Sequence, residues 1–481
     1  MTVTLLPTQG HEDQNTASEH QASKTKIIFI SLLFVASLAS FVLQTELTSH
    51  VFQLGFNEPV VMLLVTHGAW WILWPTQVLL ISIWRTGNKI QLQSRNRDGG
   101  NSRYQRLDSN SQLLDNGDIP TRTGDHGSFE FLKYFRKTIV RQVRNVYHTS
   151  ILIYEANVND DTSTYNCHKL IDQNPRISSS SSLIECFKTF VSTESFKYIF
   201  VKSAIITVIL TVAGGSWFVA MAMTYASDVT AIYNCSAFTA YAFAIPILHE
   251  KLSWLKASSV VAAVAGVFIV AYSDDGSSDA PDGSKGEELY PNRLWGNLII
   301  FIGAILYGYY EVLYKKFTCI PPHLVKIITP RRQLTFANFI MSLFGVFTAI
   351  ILVIVIVFGE IFHIHSFNFF DYGKNTTKIW IFICGSSIAN ILFSALFLSL
   401  MALTNPVLSS VSSLLTIFLI GIVEWFLFGN KLSFQQLLGD CFVIIGFIML
   451  TTASWKEISE GNDDDDVENV STLSFALSTE G

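Results

Sequence analysis

Ten stretches of this sequence are apolar for about the length of a bilayer crossing, and a chain that carries them has few ways to fold. They run over residues 27–45, 59–84, 198–223, 228–248, 254–273, 293–314, 335–358, 378–402, 405–429 and 435–453. A helix needs about 20 mostly apolar residues to cross the ~30 Å hydrocarbon core. The runs are continuously apolar rather than alternating at every second residue, so they read as helices and not as strands of a barrel. In lipid the backbone must satisfy its own hydrogen bonds, which a helix does. Composition agrees, since only 15% of the 481 residues are charged against about 25% in soluble chains. The expected fold class is an all-α polytopic membrane protein with ten transmembrane helices. The polar residues 1–26 precede the first run and no cleavage pattern follows it, so a retained helix is expected rather than a signal peptide. A net charge of −6 excludes a generally basic binder, and no nucleic-acid partner is expected.

Lysine and arginine orient the spans. The segment 85–197 between the second and third spans holds sixteen of the 32 basic residues, among them Arg85, Arg103, Arg106 and Arg141. A second basic connection carries Lys315, Lys316, Lys326, Arg331 and Arg332, whereas 45–58 has no basic residue and 274–292 is mostly acidic. Ten spans then place the tails 1–26 and 454–481 and both basic segments in the cytosol, and the acidic loop 274–292 in the lumen or exterior. On that topology Asn375-Thr376-Thr377 is a lumenal N-glycosylation acceptor, while the triplets at Asn234 and Asn469 stay unmodified. Cys235, Cys384 and Cys441 lie within spans, and Cys167, Cys186 and Cys319 on the reducing side, so free thiols are expected.

The insert 85–197 is polar and rich in Ser, Asn and Asp, so most of it is expected to be disordered. Near 129–148, however, Phe131, Phe135, Ile139, Val143 and Tyr147 recur every four residues with basic residues between them. This pattern predicts a basic amphipathic helix, either lying on anionic cytosolic lipid or simply solvated. Tyr104-Gln105-Arg106-Leu107 has the form of a tyrosine-based sorting signal, with sorting adaptors as its expected partners. The Asp463–Asp466 run in the tail reads as a solvated acidic end.

A shift of 180 residues brings the fourth and ninth spans into register without a gap. Seven of the 34 positions from 221 to 254 are then identical, including Met221 with Met401, Phe238 with Phe418 and Lys251-Leu252-Ser253 with Lys431-Leu432-Ser433; beyond them Gly266 meets Gly446. The same shift pairs spans three to five with eight to ten, so each half holds five helices. An odd number sends the second copy in from the opposite side, which makes an inverted 5+5 repeat with its site expected near mid-membrane.

Several stretches carry a resemblance at this point. Trp217-Phe218 through Ala222, Ser227-Asp228-Val229-Thr230, His249-Glu250-Lys251-Leu252, Tyr272-Ser273-Asp274 and Leu306-Tyr307-Gly308-Tyr309-Tyr310 are similar to solute carrier family 35, subfamily F. With its ten helices, the chain resembles the drug/metabolite transporter superfamily with paired EamA-type halves. The resemblance covers all ten spans but not the insert or the tails. It implies a carrier, in a subfamily that includes proteins linked to thiamine uptake and some on vacuolar or other endomembranes. Glu311 departs from the small or hydroxyl residue usual there, so a relative's substrate does not transfer directly.

Charged groups inside spans are costly and usually face a cavity or a partner. Glu424 in the ninth span could bind a cation or relay a proton, or simply pair with Lys431. Glu311 lies with Tyr307, Tyr310 and Tyr314 on one helical face, where a carboxylate among aromatic rings suits a cationic or heteroaromatic solute. Its bland reading is snorkelling toward Lys315. The fourth and ninth spans are rich in small polar groups, from which Asn234, Ser236, Thr239, Ser410, Ser413 and Thr416 are taken as substrate-lining, with Asn390 of the eighth span added; each could equally be helix glue. Pro246 and Asn405-Pro406 mark kinks or helix ends.

The sequence holds no HExxH, no nucleophile elbow, no phosphate-cradling loop and no Cys/His set at zinc spacing, so neither an enzyme nor a cofactor or metal site is expected. The leading expectation is a secondary transporter of a small organic solute, such as a thiamine-like cation, working by alternating access. A vacuolar or lysosome-like endomembrane is favoured over the Golgi and plasma membrane. The alternatives are a Golgi nucleotide-sugar antiporter and a non-transporting receptor or scaffold acting through 85–197. Assembly as a homodimer is left open.

Overall fold

A computed structural model describes residues 32–98, 126–158, 182–249, 254–271, 291–321, 328–403 and 433–460, together with Ile420, Val423, Trp425 and Phe426. Regular structure among the described residues is helical throughout. In chain order the helices are α1 (Leu32–Gln53), α2 (Pro59–His67), a 3-10 turn (Gly68–Ile72), α3 (Leu73–Asp98), α4 (His126–Val158), α5 (Leu183–Val191), α6 (Glu194–Met221) and α7 (Ala226–Tyr233). They continue with α8 (Ser236–Leu248), α9 (Trp254–Ala271), α10 (Arg293–Phe317), α11 (Pro330–Ile361), α12 (Thr376–Leu403) and α13 (Phe434–Glu460).

Among the described residues, seven stretches are long and apolar enough to cross a membrane: Leu32–Gln53, Pro59–Gln91, Glu194–Met221, Ala226–Leu248, Arg293–Phe317, Arg331–Ile361 and Gly373–Phe397. Shorter apolar runs at Trp254–Gly266 and Leu437–Gly446 fall where the fifth and tenth spans were expected. The expected ninth span lies outside the described residues but for four positions, and with it Ser410, Ser413, Thr416 and Glu424. Pro59 and Pro330 open their helices, where a missing N–H is harmless. The fourth span is interrupted by a tight turn at Asn234–Cys235, and Pro246 sits inside its second half.

The chain divides into two compact units, one formed by residues up to Leu73 and from Ile199 onward, the other by Trp74–Tyr198. In the first, side-chain hydrogen bonds tie the helices where lipid offers no alternative. Thr48 Oγ1 meets Ser386 Oγ at 2.8 Å between α1 and α12. Ser387 Oγ donates to Val65 O at 3.0 Å, and Ser342 Oγ of α11 to Trp70 O at 3.3 Å. Thr211 of α6 meets Thr348 of α11 at 3.4 Å.

The pairing of α9 with α13 has a particular form. A side chain at Gly266 would lie 2.6 Å from Gly439 O and 2.8 Å from Val443 N, and one at Gly446 would lie 2.6 Å from Ser259 O and 2.9 Å from Ala263 N. Only glycine allows this approach of backbone to backbone. The two sets are mates under the 180-residue shift: Gly266 with Gly446, Ser259 with Gly439, Ala263 with Val443. Each helix therefore presents the same patch to the other, as in a two-fold contact.

The second unit differs from the sequence expectation for the insert. The second span's helix runs on to Asp98, α4 covers His126–Val158 rather than 129–148, and α5 forms a further helix. The apolar stripe of α4 is covered by protein: Val140, Val143, Val146, Tyr147 and Ile151 are buried, and Tyr147 meets Phe190 of α5 edge-on at 5.8 Å. Lys89 of α3 lies 4.0 Å over the Tyr134 ring. Residues 99–125, with the tyrosine-based motif, and 159–181 lie outside the described residues. The described cysteines, Cys186, Cys235, Cys319, Cys384 and Cys441, are all free.

Candidate functional site: a carboxylate among aromatic rings

The helical repeat of α10 puts Tyr307, Tyr310, Glu311 and Tyr314 on one face, because residues three and four apart are neighbours on a helix. Tertiary packing adds rings from two other elements. Tyr233, last in α7, meets Tyr307 at 4.9 Å, and Tyr307 meets Tyr310 at 5.1 Å. Tyr310 and Tyr314 lie 6.3 Å apart, and Phe344 of α11 stands edge-on to both at 5.9 and 6.0 Å. Tyr233, Tyr307 and Tyr310 are all within electrostatic reach of the Glu311 carboxylate.

Tyr233, Tyr307, Glu311 and Tyr314 are each half-buried, with part of their surface left accessible. Among the described residues Glu311 makes no hydrogen bond or ion pair, and the snorkelling contact with Lys315 is not formed. An unneutralised carboxylate in a low-dielectric wall is costly unless a cation or proton joins it. Ring faces attract the same cation. The cluster lies toward the Lys315-Lys316 end of α10, with Glu311 about 6 Å along the axis from Lys315 at ~1.5 Å per residue, rather than at mid-span.

The other expected site residues divide. Tyr310 is buried within the cluster. Asn234 forms the turn next to Tyr233, its Nδ2 donating to Thr230 O at 2.9 Å. Ser236 opens α8, and its carbonyl accepts from Thr239 Oγ1 at 2.9 Å. Thr239 Oγ1 also meets Ala304 O at 3.1 Å, so it ties α8 to α10. Asn390 is a packing residue: its Oδ1 accepts from Trp70 Nε1 at 3.0 Å and from Ser394 Oγ at 3.4 Å. Asn375 ends the 3-10 turn Gly373–Asn375 and is exposed.

Sequence reading passed over two further polar clusters. At one end of α7 and α10, Asp228 is 0% exposed and accepts from Arg293 Nε at 2.7 Å, Thr224 Oγ1 at 3.1 Å and Asn297 Nδ2 at 3.4 Å. Just before α2, buried Glu58 faces His365 Nε2 of the connection after α11 at 3.0 Å and accepts from Asn368 N at 3.1 Å. The Tyr372 hydroxyl donates to Asn368 O at 2.7 Å, and burial, followed by the Glu58 charge, pushes that phenol's pKa up. Glu46 was also missed, because α1 continues past the expected end at residue 45 and buries it.

No family model matches the chain. It is similar to an uncharacterized transporter of Schizosaccharomyces pombe, 26% identical over 231 residues. The match covers 48% of this chain and 62% of that relative, so the chain spans less than two thirds of the relative's length.

Proposed function

We propose that the chain is a secondary transporter of a small organic cation, working by alternating access between two inverted five-helix halves. The observation that carries the reading is Glu311, a carboxylate with no hydrogen-bond or ion-pair partner among the described residues, set among Tyr233, Tyr307, Tyr310, Tyr314 and Phe344. A flat cation of the thiamine type would stack on the rings while Glu311 balances its charge. The same carboxylate counts against a nucleotide sugar, whose diphosphate calls for arginine or lysine.

The inverted-repeat reading is supported by the matched contacts at Gly266 and Gly446. The interruption at Asn234–Cys235 adjoins the ring cluster, and discontinuous helices commonly build substrate sites in such carriers. The likeness to a protein described as a transporter points the same way, and the motif resemblance suggests solute carrier family 35, subfamily F, on a vacuolar endomembrane. Because no covalent chemistry is assigned to the chain, an ion gradient or solute exchange would drive accumulation.

A second reading, a receptor or scaffold, draws on the Trp74–Tyr198 unit, which has a buried core of its own. Uptake by proteoliposomes of thiamine, tetraethylammonium and a neutral sugar, with and without a proton gradient, separates the two. Uptake of organic cations that Glu311→Gln abolishes supports the carrier. If no cation moves under either condition, while deletion of 126–191 removes the cellular phenotype, the receptor reading replaces it.

A further inference from the structure

Helix α5 has two apolar faces, and only one is covered. Phe190 is 0% exposed and packs edge-on to Tyr147 of α4 and to Phe196 of α6, the latter at 5.0 Å; Cys186 is buried beside it. On the other side Ile184 is 81% and Phe187 54% exposed, with Leu183 and Val191 completing the stripe. Their spacing is that of a continuous helical face. Polar Glu185 and Lys188 occupy the remainder of the helix surface.

Two features on the page name the occupant. Only Ser192 and Thr193 separate α5 from α6, a membrane-crossing stretch, and the Phe190–Phe196 contact pins the join. The stripe is therefore tied, within two residues of chain, to the first turn of a helix apolar and long enough to cross a membrane. The exposed charges of α5 are Lys188 and Glu185, and Arg136 of α4 lies within electrostatic reach of its Cys186; α4 adds the exposed cations Lys133 and Lys137 to this unit. A short amphipathic helix with cations at its rim fits an anionic membrane surface.

We propose that α5 lies in the headgroup and acyl boundary of the leaflet in which α6 begins, with Ile184, Phe187 and Val191 among the acyl chains and Lys188 among anionic headgroups. The basic helix α4, whose apolar stripe is occupied by α5, is held to the membrane through α5 rather than by inserting itself.

The test uses the full chain reconstituted into vesicles of phosphatidylcholine and phosphatidylserine. Phe187→p-benzoylphenylalanine, Ile184→p-benzoylphenylalanine and Glu185→p-benzoylphenylalanine are made one at a time, irradiated, and their adducts identified by mass spectrometry. Lipid adducts several-fold more abundant at 184 and 187 than at 185 support the proposal. Ile184 is exposed enough that its replacement does not perturb the core, which keeps the test valid should the Phe187 variant misfold. Adducts at 184 to another segment of this chain or to a second copy overturn it, as does equal lipid labelling at 184 and 185 or none at 184.

Discussion

At the residue scale the consequential group for the proposed carrier is Glu311, whose role there would turn on charge rather than shape. Glu311→Gln keeps the volume and removes the negative charge from the ring cluster. We expect it to weaken organic-cation binding at least about tenfold, equivalent to ~1.4 kcal/mol, measured by isothermal titration of the detergent-purified chain. Asn390 should behave in the opposite way. Asn390→Ala leaves the buried Trp70 indole N–H without its acceptor, a loss of about 1–3 kcal/mol that thermal unfolding would record while cation affinity stays unchanged. The contrast shows what was legible. Tyr307, Tyr310, Glu311 and Tyr314 could be read together because one helix carries them at i, i+3, i+4 and i+7. Tyr233 and Phe344 arrive from other helices, and no local pattern says that they will meet Tyr307 and Tyr314. Thr239 and Asn390 were read as substrate-lining or helix glue, because a hydroxyl or amide in an apolar run looks the same whether it faces a solute or another helix; the structure adds the partners Ala304 and Trp70, which no local pattern names.

At the scale of elements, the apolar runs located most helices, but their ends were set by packing. Helix α1 continues through Glu46 to Gln53 because the bundle covers its polar side. The four-residue recurrence in the insert falls within α4, whose Tyr147 packs on Phe190 of α5; that contact was hidden from the sequence because α5 lies in a short stretch bounded by serines. The α4–α5 pair holds together mainly through Tyr147 and Phe190, both fully enclosed. Tyr147→Ala should cost roughly 3 kcal/mol of local stability, by analogy with other buried aromatic truncations. Hydrogen exchange would show it as faster exchange across 140–153 and 183–191, with the amides of α10 and α11 unaffected.

For the whole molecule, topology is the first thing to establish. If the connection 362–375 faces a lumen, Asn375 gains an endoglycosidase-sensitive glycan in a eukaryotic host and Asn375→Gln loses it. A glycan on Asn469 instead would reverse the orientation. Composition made a multi-pass chain evident from the outset, whereas the burial of Asp228 against Arg293 was not legible, since those residues are 65 positions apart.

Under the proposed alternating-access cycle, the matched patches on α9 and α13 have a dynamic consequence. When two halves of a carrier exchange conformations, most contacts between them must change, because what one half did the other now does. A contact that maps onto itself under the exchange is the exception: swapping Gly266 with Gly446 and Ala263 with Val443 returns the same set of neighbours. Such a crossing can serve as a fulcrum, unaltered between the two ends of the cycle. A covalent tie between Ala263→Cys and Val443→Cys should accordingly leave the uptake rate near that of the untied chain, whereas bridging Tyr233→Cys to Phe344→Cys across the ring cluster should stop it.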